Sequence, residues 1–307
     1  MVNFAIQKQF MTNPFIADLK NQYKNGSALI KLIFINVAVF LVVNIIGLLL
    51  YFFNVENGID QVINWLALPS DVTKLLYQPW TVVTYMFLHE EIFHLLFNML
   101  VLYFGGQIFL QFLNNKKLVS TYLLGGLSGG LLYVILFNVL PVFEQISPIS
   151  IALGASASVM AVLIAAATYV PNFVVRLIFL GNVKLKYIAL VYVVLDMISI
   201  PKGNAGGHIA HLGGALFGFI YILQLQKGND FTAGFNRFLD YLKNLFSFKR
   251  KMKVVYKSPK SRDDKEFNAQ KKANQQKIDA ILDKISKSGY DSLTGEEKAI
   301  LFDASKK

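Results

Sequence analysis

The stretch FLHEEIFHLLFN, residues 87–98, sets His89 and His94 around two glutamates and follows them with Asn98. Histidine, glutamate and histidine in close order raise zinc hydrolysis first. A helix that grips zinc through two histidines spaces them four residues apart, so that both meet one ion and the intervening glutamate serves as base. Here the spacing is five, and at 3.6 residues per turn the two rings diverge by about 140°. His94 and Asn98, four apart, share a face. A metal-dependent membrane hydrolase built on His89, His94, His208 and His211 is the rival reading, because His89 can precede the helix. Glu90 and Glu91 suit a solvated helix start, where acids complement the dipole.

Two further stretches carry reactive types. GASAS, residues 154–158, follows a loop containing Pro148 and places Ser156 in the first turn of an apolar run, where its backbone N–H has no intrahelical partner. Such a donor, at the positive end of a helix, can stabilise an oxyanion. A lone serine in a membrane helix is ordinarily a packing residue. GGHIAHLGGALFGF, residues 206–219, puts Gly214 and Gly218 on the face of His211, and small residues at that spacing admit a close helix neighbour. If that neighbour is the run opened by Gly154, His211 reaches Ser156. His208 is the rival base and Ser158 the rival nucleophile.

The elements that must position these groups are membrane helices. The 307 residues are 54% hydrophobic and 16% charged, with a mean hydropathy of +0.46, too apolar for an ordinary soluble domain. Cysteine is absent, which removes thiol catalysis, disulfides and thiolate metal sites. Much of the +11 net charge lies beyond residue 226, which argues for a membrane surface rather than nucleic acid. Six apolar runs approach membrane length, at about residues 28–53, 92–113, 118–140, 154–170, 187–200 and 207–226. Lysine and arginine gather before the first run (Lys8, Lys20, Lys24), between the second and third (Lys116, Lys117), between the fourth and fifth (Arg176, Lys184, Lys186) and after the sixth. With those segments cytoplasmic, six spans and two inward termini satisfy every loop. The second, fourth and sixth spans then all run inward, and His94 with Asn98, Ser156, and His211 fall at similar depth below the outer surface.

The expected division is a cytoplasmic segment 1–27, a six-helix membrane domain 28–226, an interfacial amphipathic helix with a basic linker 227–260, and a cytoplasmic helical tail 261–307. Residues 54–80 are apolar for a loop and are expected at the outer interface. Residues 176–187, broken by Gly181-Asn182, read as a small hairpin. Phe231, Phe235, Phe238, Leu242, Leu245 and Phe246 recur at helical spacing before the basic stretch Lys249 to Lys260, which suits anionic lipid. Thr294 and Glu297 have the spacing of a capping box.

On H-x4-H-x3-N (His89, His94, Asn98), G-x-S (Gly154, Ser156) and A-H-x2-G-x3-G (Ala210, His211, Gly214, Gly218), in this order on the second, fourth and sixth spans, residues 28–226 resemble the rhomboid intramembrane serine proteases. The resemblance implies an all-α, six-transmembrane-helix rhomboid-like bundle with a cytoplasmic helical tail. It implies Ser156 as nucleophile and His211 as base, a dyad without a carboxylate, with Asn98 and His94 joining the Ser156 N–H at the oxyanion. His89 matches a histidine to which the family gives a structural role. Ala157 stands where the family commonly has glycine, and Met160 where an aromatic residue often stacks on the catalytic histidine. Thr81 follows Trp80 where many relatives have arginine, and a glutamate often found in the second span is replaced around Gln107 to Phe109. The implied partners are transmembrane protein substrates and membrane lipids, with no nucleic acid, no metal and no cofactor. The implied setting is multi-pass in the plasma (inner) membrane of a bacterium, termini cytoplasmic. The alternative is a catalytically weak or inactive rhomboid-like protein that binds membrane helices.

Overall fold

A computed structural model describes residues 21–178, 180–246 and 264–305. The basic stretch Lys249 to Lys260 lies outside them, as do Lys8 and Lys20. The described residues are helical for most of their length and fall into two compact units that divide after Ser247.

In the first unit the apolar runs become helices that stop where polar residues cap them. Helix α1 (Ala28–Phe52) starts at Ser27, whose side chain accepts from the Ile30 N–H. The segment that follows folds into α2 (Gly58–Leu66), the short strand β1 (Leu68–Pro69), α3 (Val72–Tyr77) and α4 (Thr81–Thr84). Helix α5 (Ile92–Phe112) leads to α6 (Asn115–Val139), capped by Asn114. A second short strand, β2 (Ile151–Ala152), precedes α7 (Ser156–Tyr169). Beyond it come the hairpin β3 (Val174–Leu177) and β4 (Gly181–Lys184), then α8 (Leu185–Ser199), α9 (Ala205–Gln226) and α10 (Thr232–Phe246). Among the described residues four helices, α1, α5, α6 and α9, are long and apolar enough to cross a membrane, while α7 and α8 are shorter.

Helix α7 is the centre of the unit. Every residue from Ala157 to Ala167 is buried, against α5, α6 and α9. A helix of 14 residues is about 21 Å long, short of the roughly 30 Å hydrocarbon layer. It is surrounded by protein from Ala157 to Ala167, while Ser156 at its start is only partly buried. The backbones meet closely: a Cβ at Gly214 would strike the carbonyl of Ala157, and one at Gly218 the carbonyl of Ala161. The glycine stripe of α9 thus faces the fourth apolar run. Helix α6 adds a second stripe that the sequence reading did not single out. A Cβ at Gly129 would lie 2.6 Å from that of Ala157, and Gly125 abuts Ala161.

Residues 54–88 pack into the bundle. β1 pairs antiparallel with β2, Leu68 opposite Ala152, and Ser70 Oγ donates to the Ser147 carbonyl at 2.5 Å. Tyr85, Met86 and Leu88 are buried, and the Gly154 N–H donates to the Tyr85 carbonyl at 2.9 Å. Trp65, Leu76 and Tyr77 stay exposed. At the opposite end, α10 docks on the bundle. Lys117 pairs with Asp230 at 2.8 Å and Lys116 with Asp240 at 2.7 Å, and the Phe231 ring packs edge-on against Phe217 and Tyr221.

The second unit holds α11 (Asp264–Ser288) and α12 (Gly295–Ser305). The Thr294 N–H donates to Glu297 at 2.7 Å and the Glu297 N–H to Thr294 Oγ1 at 3.4 Å, the reciprocal box its spacing foretold. Lys284 closes on the same carboxylate at 2.9 Å.

Because the space behind Gly218 is carbonyl rather than flexible side chain, added bulk there has nowhere to go. Gly218→Val is expected to cost about 3 kcal/mol, the upper end of overpacking. Thermal unfolding in detergent checks this against Leu216→Val, a truncation on the exposed face of the same helix, which should change little.

Candidate active site

Three helix beginnings converge: His94 and Asn98 in the first two turns of α5, Ser156 as the first residue of α7, and His211 in the second turn of α9. With Phe97, Val101, Val159, Met160 and Tyr192 they line one cavity of about 320 Å³. Chain order and loop charge had set these groups at one depth, and the close crossing of α7 and α9 sets them around one space. A second cavity, about 390 Å³, lies by the other end of α7 and is lined by apolar residues with Thr168 and Lys186.

Gly154 holds the approach to Ser156. Its φ of 125° is a conformation side chains disfavour, and a Cβ there would come within 2.9 Å of the His94 ring and 3.4 Å of Ser156 Oγ. The glycine therefore lets the His94 ring, the serine hydroxyl and the loop backbone crowd together. Asn98 donates one N–H to the His94 carbonyl at 3.0 Å and is otherwise turned to the cavity it lines, leaving its second N–H free to serve there. Among the described residues no hydrogen bond joins Ser156 Oγ to His211; catalytic contacts are often open before substrate arrives.

The other candidates separate. His89 is buried outside the cavity. Its Nδ1 lies 3.3 Å from the Phe87 carbonyl, and its Nε2 accepts from the Ala155 N–H at 3.5 Å, so it ties the outer loop to the start of α7. Ser158, also fully buried, points into the helix packing beside Gly126, away from the cavity lining. Met160 lines the cavity wall, and Gly214 and Gly218 form the crossing described above.

One residue was missed in the sequence. Asp196 of α8 is buried, and its Oδ1 lies 2.9 Å from His211 Nδ1 and 2.7 Å from His208 Nδ1. The histidine expected to work without a carboxylate has one. The signal was available, since an ionisable residue within an apolar span is by itself a candidate. The ligand atoms of Asp196, His208 and His211 lie within 4.8 Å of one another, and these are the described residues that a divalent cation would find together. His89 and His94, with ring centroids 5.1 Å apart, are not part of that group.

Residues 77–227 match the model of the Rhomboid domain, and residues 263–307 that of a family of unknown function (DUF6576). Among curated proteins the chain is 32% identical over 163 residues to the mitochondrial presenilin-associated rhomboid-like protein A of Danio rerio, covering 50% of this chain and 38% of that protein. It is 33% identical over 162 residues to the corresponding protein of Mus musculus, with 50% and 39% covered. The mitochondrial RHOMBOID-like protein 12 of Arabidopsis thaliana is 28% identical over 157 residues, with 48% and 47% covered. The chain thus matches less than half the length of each.

Burial, with the His94 ring as second cause, pushes His89 down to about 4 from an ordinary 6.5. The folded protein therefore holds this imidazole neutral. Between those two values the unfolded chain binds the extra proton, so stability falls as pH drops through the window and changes no further below it. The full loss is about 3 kcal/mol. Unfolding at pH 7.5 and pH 4.5 should show wild type losing more than His89→Asn, and parallel losses would refute the assignment.

Proposed function

The chain belongs to the rhomboid family, and from that premise we propose that it is an intramembrane serine endopeptidase working through Ser156 and His211. The single observation that carries the reading is the shared cavity, where a hydroxyl, an imidazole and two further polar side chains meet at the starts of three helices. Ser156 Oγ attacks the carbonyl carbon of a peptide bond while His211 takes the hydroxyl proton. The carbonyl oxygen becomes an oxyanion facing the Ser156 N–H, the free N–H of Asn98 and the His94 ring. The C–N bond then breaks, His211 returns its proton to the leaving amine, and water repeats the sequence on the acyl-enzyme.

Substrates on this reading are transmembrane segments of other proteins, opened near the outer face, because a peptide bond inside an intact helix cannot be attacked. The cavity's apolar walls, Phe97, Val101, Val159, Met160 and Tyr192, suit a segment arriving from lipid. We take α7 and α8 as the two short members of a six-span bundle, with the lysine- and arginine-bearing ends on the inner side. The protein is multi-pass on any count of its long helices. A bacterial plasma membrane does not fit the relatives, whose names are mitochondrial, so the proposal extends to orientation and not to compartment.

A fluorophosphonate probe on detergent-solubilised protein tests the assignment. Wild type should label, and Ser156→Ala should not. His211→Ala should label at least about 100-fold more slowly, as expected for loss of a general base. Ser158→Ala should keep labelling. Labelling that persists in Ser156→Ala, or vanishes only in Ser158→Ala, refutes the proposal, and a wild type that never labels favours an inactive helix-binding relative.

A further inference from the structure

Asp196 is the single carboxylate of α8 and lies in a helix otherwise built of apolar residues, Lys186 and Ser199 at its ends apart. An ionised carboxylate taken out of water costs several kcal/mol unless partners replace the lost hydration. Two imidazoles on α9, three residues apart, supply them through the same oxygen. An ionised carboxylate only accepts, so each Nδ1 must carry its proton. This fixes the tautomer of both rings.

The consequence differs for the two. His211 lines the cavity with Ser156, whereas His208 does not. With Nδ1–H committed to Asp196, the nitrogen left to His211 for proton transfer is Nε2, which in the neutral ring is the acceptor. We propose that Asp196 is a positioning residue for the reaction: it holds His211 in the tautomer and orientation that let it act as base, converting the dyad into a Ser156, His211, Asp196 relay of fixed geometry. His208 shares the carboxylate as a second anchor and does not take part in proton transfer. The inference rests on the reading of His211 as base. A purely structural staple between α8 and α9 would hold the same distances, so the test must read more than folding.

The full chain in detergent is labelled with fluorophosphonate over a range of probe concentrations, which separates the maximal inactivation rate from the probe's half-saturating concentration. Asp196→Asn offers an amide N–H that favours the wrong tautomer, and it should lower the maximal rate by roughly 100-fold or more while leaving half-saturation within about threefold. Asp196→Glu should recover at least about tenfold of that loss, because the acceptor is restored. His208→Gln should stay within about threefold of wild type. In protein carrying 15N-histidine, the ring resonances of His211, assigned with His211→Gln, should report Nδ1–H in wild type and lose that state in Asp196→Asn. Wild-type labelling in Asp196→Asn with an unaltered tautomer overturns the inference and leaves the protease reading intact. A wild type that does not label overturns both. A loss in His208→Gln equal to that in Asp196→Asn, or labelling of wild type that a chelator abolishes, overturns the assignment by showing that the three residues act as one unit or hold a metal.

Discussion

Everything at this site depends on two backbones touching. Helices α7 and α9 cross with no side chain between Gly214 and the Ala157 carbonyl, or between Gly218 and the Ala161 carbonyl. In lipid, apolar side chains gain little by leaving one apolar medium for another, so association relies on packing and on interhelical polar contact. Glycine is what permits approach at this distance. The same crossing fixes the rotation of α9 about its axis, and His211, one turn before Gly214, is carried to the space above Ser156. A larger residue at Gly214 or Gly218 would push α9 away from α7 and separate His211 from Ser156.

The shortness of α7 follows from being surrounded. A lipid-facing helix must run the thickness of the hydrocarbon, but one jacketed by α5, α6 and α9 can end early, its loop hydrogen-bonded to neighbouring segments instead of to water. The pairing of β1 with β2 and the Gly154-to-Tyr85 hydrogen bond provide that closure. They hold the start of α7 against the neighbouring segments. The positive end of a helix thus faces a cavity enclosed mostly by apolar walls, the medium in which a partial charge acts most strongly.

What could be read from the sequence was whatever is written along one segment. The six apolar runs match helix bounds to within about three residues, residues 176–187 contain most of the hairpin, and Thr294 with Glu297 form the expected box. The serine, the histidines and Asn98 were legible because their segments also carry spacing rules: helical offset, glycine period, helix start. Asp196 obeys no such rule. It sits among valines and leucines, and its meaning lies in two rings on the next helix, twelve and fifteen residues away. The glycines of α6 were hidden likewise, since GGLSGG reads as helix tolerance until Ala157 and Ala161 are seen against it. The docking of α10 by Lys116 and Lys117 was read only as a charge that sets topology.

Polar groups at this depth survive because nearly all of them are answered. Asn98 gives a hydrogen bond to the His94 carbonyl, His211 and His208 share Asp196, and His89 bridges Phe87 and Ala155. The buried hydroxyl left without a partner among the described residues is that of Ser158, inside the helix packing beside Gly126, whereas the partly buried Ser156 hydroxyl opens onto the cavity. A buried orphan such as Ser158 Oγ costs stability, whereas groups that open onto the cavity can still be solvated. On the proposed mechanism the Ser156 hydroxyl and N–H are the pair that a tetrahedral intermediate would satisfy together, one forming the bond to carbon and the other receiving the oxygen. The surrounding network spends its hydrogen bonds on holding positions and leaves the Ser156 hydroxyl open to the cavity.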